Sequence, residues 1–109
     1  MKVLYFTRDY TPHDVRFLNA IAALGHEGYF LRLCDEKRGL DGRPLPAGIH
    51  AVDWRWGKGL VEPSSYPEVV EDLKRVAAEI HPDVIHSGPL PDVSYIVALA
   101  DLRPHVAMS

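Results

Sequence analysis

The chain has 109 residues, of which 47% are hydrophobic and 25% are charged, values typical of one globular domain and not of a disordered or fibrous protein. Twelve basic residues stand against 15 acidic ones, giving a net charge of −3, so the composition does not favour nucleic acid as a partner. The single cysteine excludes an internal disulfide and offers no cysteine pair for a metal or redox site, which favours a reducing cytoplasm.

Residues 1–27 predict a strand, a polar loop and a helix. Residues 2–7 form an apolar run without polar alternation, as in a central strand covered on both faces. Pro12 and Asp14 follow a polar segment and predict that a helix begins near residue 13. Apolar residues then recur at spacings of three and four, and Gly25 predicts the end of the helix.

The sequence Gly25-His26-Glu27, which follows this strand, loop and helix, resembles the amino-terminal domain of GT-B glycosyltransferases, most nearly those of family 4. The order of the predicted elements agrees with that family over nearly the whole chain. The family usually has a Gly-Gly pair in the first loop, whereas this chain has Thr11, Pro12 and His13 there. The resemblance implies that residues 1–109 are a single acceptor-side domain, half of a GT-B fold, whose carboxy-terminal donor-binding partner lies outside the chain.

The middle of the chain predicts two outer strands joined by irregular segments. Residues 28–34 predict the second strand, and residues 49–55 predict a third strand near an edge of the sheet. Glycines and prolines between them predict an irregular crossover, and residues 56–67 predict a mobile surface loop. Trp54 and Trp56 either cover an edge of the core, which we favour, or stack on a sugar ring.

The last third of the chain predicts a helix, a strand, a second helix and a final strand. Apolar residues at helical period follow Pro67 and run to Ile80, and the order of charges along this helix suits its dipole. Residues 83–86 predict a short fourth strand, Asp92 predicts a helix cap, and residues 105–109 predict a fifth strand. The alternation predicts an open, Rossmann-like parallel α/β sheet in the order 3-2-1-4-5 with helices on both faces.

In a sheet of this order, ligands bind at the carboxyl ends of the strands between the first and fourth, where the winding direction reverses. The loops at residues 8–14 and 86–92 should therefore lie together and form one cleft. In this cleft we expect His86 and Ser87 to hold a hydroxyl of an acceptor sugar or polyol by hydrogen bonds, with His13 or Arg8 across from them. The predicted acceptor-binding residues are Arg8, His13, His86 and Ser87. The alternatives are a strand-capping role for His86 and a solvated surface position for His13.

The resemblance adds detail at two points. Family 4 enzymes often carry D-x-x-H-x-H near the acceptor, and the sequence from Asp83 to His86 matches its first four positions, while Gly88 replaces the second histidine. A T-x-H motif follows the fifth strand in that family, and its histidine would fall directly after Ser109. The other histidines lack metal-ligand spacing, so no metal site is predicted.

By resemblance, the complete enzyme moves a sugar from a nucleotide-sugar donor to a sugar, lipid or small-molecule acceptor. The donor would bind to the missing domain, so we expect this domain to bind no cofactor and to be inactive alone. We expect a cytoplasmic protein, with a peripheral position at the inner membrane face as the alternative for the complete enzyme. We also expect self-association through an exposed sheet edge. The alternative function is a non-catalytic, flavodoxin-like ligand-binding or regulatory domain, although no G-x-G-x-x-G follows the first strand.

Overall fold

The computed structural model describes residues 1–35, 44–88 and 93–107. All strand pairs are parallel and form one five-stranded sheet in the order β3-β2-β1-β4-β5. The strands are β1 Lys2–Thr7, β2 Glu27–Arg32, β3 Ile49–Ala51, β4 Val84–Gly88 and β5 His105–Ala107. The helices are α1 Pro12–Ala23, α2 Tyr66–Ile80 and α3 Val93–Ala100, with a 3₁₀ turn at Pro63–Ser65. The predicted fold class and strand order are confirmed.

The helices cover both faces of the sheet, as predicted. On one face α1 packs Val15 and Leu18 against Tyr5 and Phe30. On the other face α2 and α3 enclose a larger cluster, whose buried members include Leu4, Phe6, Leu31, Leu73, Ile85, Ile96 and Val97. Because side chains alternate along a strand, those of the central strand β1 contribute in turn to two separate apolar clusters, one on each face of the sheet.

The amino terminus of α1 is closed by its own side chains. The cap is Thr11, one residue before the helix, and Asp14 lies within the first turn and completes a capping box. The helix was predicted to begin near residue 13 and begins at Pro12, one residue earlier. The predicted end of the helix is confirmed, because Gly25 follows the C-cap with φ +80°, a conformation that glycine adopts without steric cost.

The segment after β3 bends over the end of β2 instead of continuing as a strand. The predicted third strand extended to residue 55, but β3 ends at Ala51. The indole N–H of Trp54 donates to the carbonyl of Arg32 at 2.8 Å, and the N–H of Gly57 donates to the carbonyl of Leu33 at 2.8 Å. Both tryptophans pack against the larger cluster, which supports the core-edge interpretation, and the predicted loop contains the 3₁₀ turn.

Strand β4 is longer than predicted. Its predicted end was His86, but pairing with β1 continues through Ser87 and Gly88, so these two residues belong to the strand and not to a loop. The predicted cap Asp92, most of the crossover and the last two residues of the predicted fifth strand lie outside the described residues.

Asp72 of α2 joins this helix to the segment after β3. Asp72 accepts hydrogen bonds from Arg55, from the indole N–H of Trp56 at 2.8 Å and from Arg75 at 3.2 Å. Burial raises the pKa of Asp72, but these donors outweigh burial and leave the pKa lowered. Of the helices in the described ranges, none is long and apolar enough to cross a membrane. Cys34, just beyond β2, is buried.

Candidate functional site

The carboxyl ends of β1 and β4 lie side by side at the point where the strand order reverses. Thr7, the last residue of β1, pairs with Gly88, the last residue of β4. The chain leaves β1 toward α1 on one face of the sheet, whereas α3 follows β4 on the other face. Such a divergence leaves a crevice between the two strand ends, and residues 8–11, which join β1 to α1, form the wall that we assign to it.

A buried carboxylate lies beneath this wall. Asp14 is 3% exposed, and one of its oxygens accepts from the hydroxyl of Tyr5 at 2.7 Å and from that of Thr7 at 3.1 Å. The other oxygen accepts from the N–H of Thr11 at 2.9 Å and from its hydroxyl at 2.7 Å. Four donors thus compensate the burial of this charge, and they tie β1 to the start of α1.

A second carboxylate pins the loop after β1 to the end of β2. Asp9 is buried, accepts from the N–H of Tyr10 at 2.8 Å and lies 3.1 Å from the guanidinium of Arg32. Arg32 also lies 3.0 Å from Asp35. Arg32, Asp35 and Lys58 line a cavity of about 330 Å³ beside β2 and β3. Because both acids share one guanidinium, Arg32 holds neighbouring loops in fixed positions.

His13 and His86 lie on the α1 side of the sheet, and Phe17 contacts both. The ring centroids of His13 and Phe17 are 4.8 Å apart, and those of Phe17 and His86 are 5.5 Å apart. His86 also meets Tyr5 edge-on at 5.4 Å. The structure therefore brings two of the predicted site residues to one surface, although an aromatic ring separates them.

Ser87 points to the opposite face. It is fully buried, and its hydroxyl lies 3.0 Å from that of Ser94 in α3 and 2.5 Å from Nε2 of His105 in β5. Because neighbouring residues of a strand alternate between faces, His86 and Ser87 do not reach the same surface. The geometry thus gives Ser87 a core hydrogen-bonding role, and its predicted contact with the acceptor gains no support.

The two histidines of β4 and β5 are held toward the neutral form. Burial lowers the pKa of His86, and the nearby His105 lowers it further. Burial also lowers the pKa of His105. A neutral imidazole has one donor and one acceptor nitrogen, so His86 can exchange hydrogen bonds with a hydroxyl group at neutral pH.

Arg8 and Asp83 each accept a hydrogen bond that joins neighbouring parts of the sheet. Arg8 follows β1 directly, and its carbonyl accepts from the N–H of Cys34 at 2.8 Å. Asp83, the first residue of the motif shared with family 4, accepts from the N–H of Lys2 at 2.7 Å. Asp83 precedes β4 and therefore lies at the opposite end of the strand from the crevice.

Sequence reasoning missed three residues of this region. Asp14 could have been found from the T-x-x-D spacing of Thr11 and Asp14, which is a variant of the capping-box pattern. Phe17 and His105 carry no comparable signal, because their roles depend on which residues the sheet register brings together. Within residues 1–35, 44–88 and 93–107, no three histidine, cysteine or acidic side chains are grouped so that they could hold a metal ion.

Neither a protein-family model nor a curated protein matches this chain.

Proposed function

We propose that the chain is the acceptor-binding domain of a GT-B glycosyltransferase, which transfers a sugar from a nucleotide-sugar donor to a sugar, lipid or small-molecule acceptor. The observation that carries this proposal is the placement of His13 and His86 around Phe17, on the crevice side of β4, beside the reversal of strand order. A half-buried neutral imidazole beside an aromatic ring is suited to hold a hydroxyl of a sugar or polyol.

In this proposal His86 orients the acceptor hydroxyl, and His13, on the far side of Phe17, and Arg8 contact other parts of the acceptor. Holding the hydroxyl in one geometry lowers the entropic cost of the reaction. The nucleotide-sugar donor belongs to a second domain, and closure of the two domains brings donor and acceptor together. The acceptor-binding domain itself needs neither metal nor cofactor for this role, and the enzyme acts in the cytoplasm or at the inner membrane face.

The electrostatics of α1 favour this function over a phosphate-binding flavodoxin-like domain. A helix amino terminus at a strand end attracts anions, because its N–H groups are unpaired and its dipole is positive there. In α1 the carboxylate of Asp14 occupies that position and accepts from the N–H of Thr11. A phosphate would meet a negative charge, whereas a neutral hydroxyl ligand would not.

Binding measured by NMR tests the proposal. The ¹⁵N-labelled chain is titrated with neutral saccharides and, separately, with UDP and with inorganic phosphate. Saccharides should shift the amides of residues 8–14 and 84–88, and phosphate should not. His86→Ala should abolish these shifts. His50→Ala, which removes a histidine with a 54% exposed side chain on β3, should leave them unchanged, and melting temperatures should show both variants folded.

Three results would count against the proposal. Phosphate or UDP shifts at the crevice without a saccharide response would favour the flavodoxin-like alternative. Saccharide shifts that persist in His86→Ala would remove His86 from the site. Unchanged saccharide binding together with a large loss of melting temperature would make His86 structural, and the binding site would then have to be sought in the loop at residues 54–66.

A further inference from the structure

A cleft of about 540 Å³ lies between α2 and the segment that follows β3. It is lined by residues 53–55 and by four side chains of α2, namely Asp72, Arg75, Val76 and Glu79, and we name it the α2 cleft. Small-molecule sites have volumes of roughly 300–1,000 Å³, so the α2 cleft is large enough for a ligand. It shares no residue with the crevice between β1 and β4 and is therefore a separate place on the molecule.

The α2 cleft lies on the α2 face of the sheet, beside the outer strand β3. Trp54 and Val76 pack against the cluster on this face, whereas Leu45, which precedes β3, packs against the cluster beneath α1. Strand β5 lies at the opposite edge of the sheet. The lining residues and their neighbours in the sequence all fall within residues 44–88, so the walls of the α2 cleft are fully described.

One wall of the α2 cleft carries an aromatic ring in a fixed position. The indole N–H of Trp54 donates to the carbonyl of Arg32 at 2.8 Å, and the ring meets Phe6 edge-on with a centroid distance of 5.6 Å. This packing leaves the ring partly exposed, and the ring lines the cleft. Because its N–H is already engaged, Trp54 offers a ligand an apolar surface. Its role at the edge of the core is thus compatible with a contact to a ligand.

The other walls carry charged groups that largely pair with one another. The carboxylate of Asp72, whose side chain is 12% exposed, lies 3.2 Å from the guanidinium of Arg75 and also pairs with Arg55. A guanidinium has five N–H donors, so each arginine has more donors than these contacts use. Three carboxylates and two guanidinium groups line the α2 cleft, which leaves one excess negative charge. The α2 cleft therefore offers hydrogen-bond donors and acceptors together without attracting an anion.

We infer that the α2 cleft binds a neutral saccharide unit. Each hydroxyl of a sugar ring both donates and accepts, so neighbouring hydroxyls can use the arginine N–H groups and the carboxylate oxygens at the same time. The C–H groups on one face of the ring gain by leaving water against Trp54. A phosphate or a uronic acid would meet three carboxylates, and a ligand without hydroxyls would leave desolvated polar groups unpaired. Binding here does not depend on the proposed function, because the two sites have no residue in common.

NMR titration of the ¹⁵N-labelled 109-residue chain tests this site. The probes are methyl glucosides, galactosides and mannosides, with glucuronic acid, inorganic phosphate and uridine titrated separately. At least one methyl glycoside should give saturable shifts of the Trp54 indole N–H and of the amides of residues 53–55 and 72–79. Glucuronic acid should bind there at least about threefold more weakly than methyl glucoside, and phosphate and uridine should give no saturable shift of these signals.

Two neighbouring positions of α2 provide a matched pair of variants. Arg75→Ala removes donors from the α2 cleft while Arg55 and Trp56 still donate to Asp72. It should weaken glycoside binding at least about fivefold, because hydrogen bonds from a charged donor are among the stronger ones. Lys74→Ala removes the same charge from a side chain that is 46% exposed and does not line the cleft, and it should leave the dissociation constant unchanged. Melting temperatures should show both variants folded.

The other outcomes refute the site in distinguishable ways. If no glycoside gives a saturable shift of the Trp54 indole N–H, the α2 cleft is not a saccharide site. Saturable shifts from uridine or phosphate alone would refute the ligand class, and equal weakening by Arg75→Ala and Lys74→Ala would indicate a general effect of charge. Glycoside shifts confined to residues 8–14 and 84–88 would refute this site and leave the proposed acceptor site standing. Shifts confined to residues 53–55 and 72–79 would support the α2 cleft and count against the proposed function.

Discussion

Replacing Asp14 by alanine should be among the most damaging single changes to the fold. The change removes the acceptor of four hydrogen bonds. The hydroxyl of Tyr5 lies in a buried residue, and the loss of its acceptor costs about 1–3 kcal/mol, whereas the hydroxyl of Thr7 still reaches the carbonyl of Asp9 at 3.3 Å. The lost helix cap adds about 1 kcal/mol. The free energy of unfolding should therefore fall by about 2–4 kcal/mol, a substantial part of the roughly 5–15 kcal/mol expected for a domain.

Equilibrium unfolding in urea, followed by circular dichroism, measures this loss. If Asp14→Ala does not fold, Asp14→Asn provides the comparison, because its amide oxygen can still accept from Tyr5 and Thr7 while its NH₂ group faces the donors of Thr11. We expect Asp14→Asn to lower the free energy of unfolding by about 2–3 kcal/mol, because its NH₂ group cannot accept from the donors of Thr11.

Tyr5→Phe makes the test specific to the buried hydrogen bond. In the double variant with Asp14→Ala, the Tyr5 hydroxyl that would lose Asp14 as its acceptor is absent. The double variant should therefore lose about 1–3 kcal/mol less than the sum of the two single losses. Strict additivity, or a loss below about 1 kcal/mol for Asp14→Ala, would refute the assignment of Asp14 as the central acceptor of this network.

Five further outcomes follow from the structure and the proposed function. Gly57→Ala should lower the unfolding free energy by about 1–3 kcal/mol in urea titrations, because Gly57 has φ +81° and an added Cβ would lie 2.7 Å from the carbonyl oxygen of Arg32. The control Gly59→Ala, where an added Cβ has no neighbour within 4 Å, should cost less than half as much. Burial and His105 lower the pKa of His86 in the folded chain. Just below the ordinary histidine pKa of about 6.5, the unfolded chain therefore binds more protons than the folded chain, and the free energy of unfolding should fall as the pH decreases through that window. NMR titration should find that His105→Gln raises the pKa of His86 while leaving it below the ordinary value, since burial, the larger cause, remains; an unchanged pKa would contradict the coupling. The chain alone should transfer no sugar from any nucleotide sugar in a product-release assay, and measurable turnover would overturn the two-domain proposal. Sedimentation at rising concentration should show self-association through the β5 edge, and a strictly monomeric profile would contradict it.

The strand order could be predicted because few topologies fit the sequence. Short apolar runs that alternate with amphipathic helical segments predict parallel strands joined by crossovers. Because such crossovers are right-handed, few strand orders remain. The first strand was predicted to the residue, since Lys2–Thr7 is bounded by charge and turn residues. The position of the crevice follows from the order alone.

The finer features depend on contacts that no local pattern contains. Ser87 and Gly88 precede a proline and were predicted to form a loop, but pairing with β1 and contacts from Ser94 and His105 keep them in the strand. That extension decides that His86 and Ser87 face opposite sides. The third strand was predicted too long because the hydrogen bond from Trp54 to Arg32, which bends the chain, joins residues far apart in the sequence. The resemblance to family 4 stays a prediction.

The buried position of Cys34 provides a natural reporter of motion beside the crevice. Its side chain is 1% exposed, and its N–H donates to the carbonyl of Arg8. A thiol reagent reacts with a buried cysteine only after the surrounding structure opens. Because the chain has a single cysteine, the labelling rate under native conditions counts openings of this one segment. A ligand that holds the loop after β1 in place would lower the labelling rate of Cys34, so binding can be followed without introducing a cysteine by mutation.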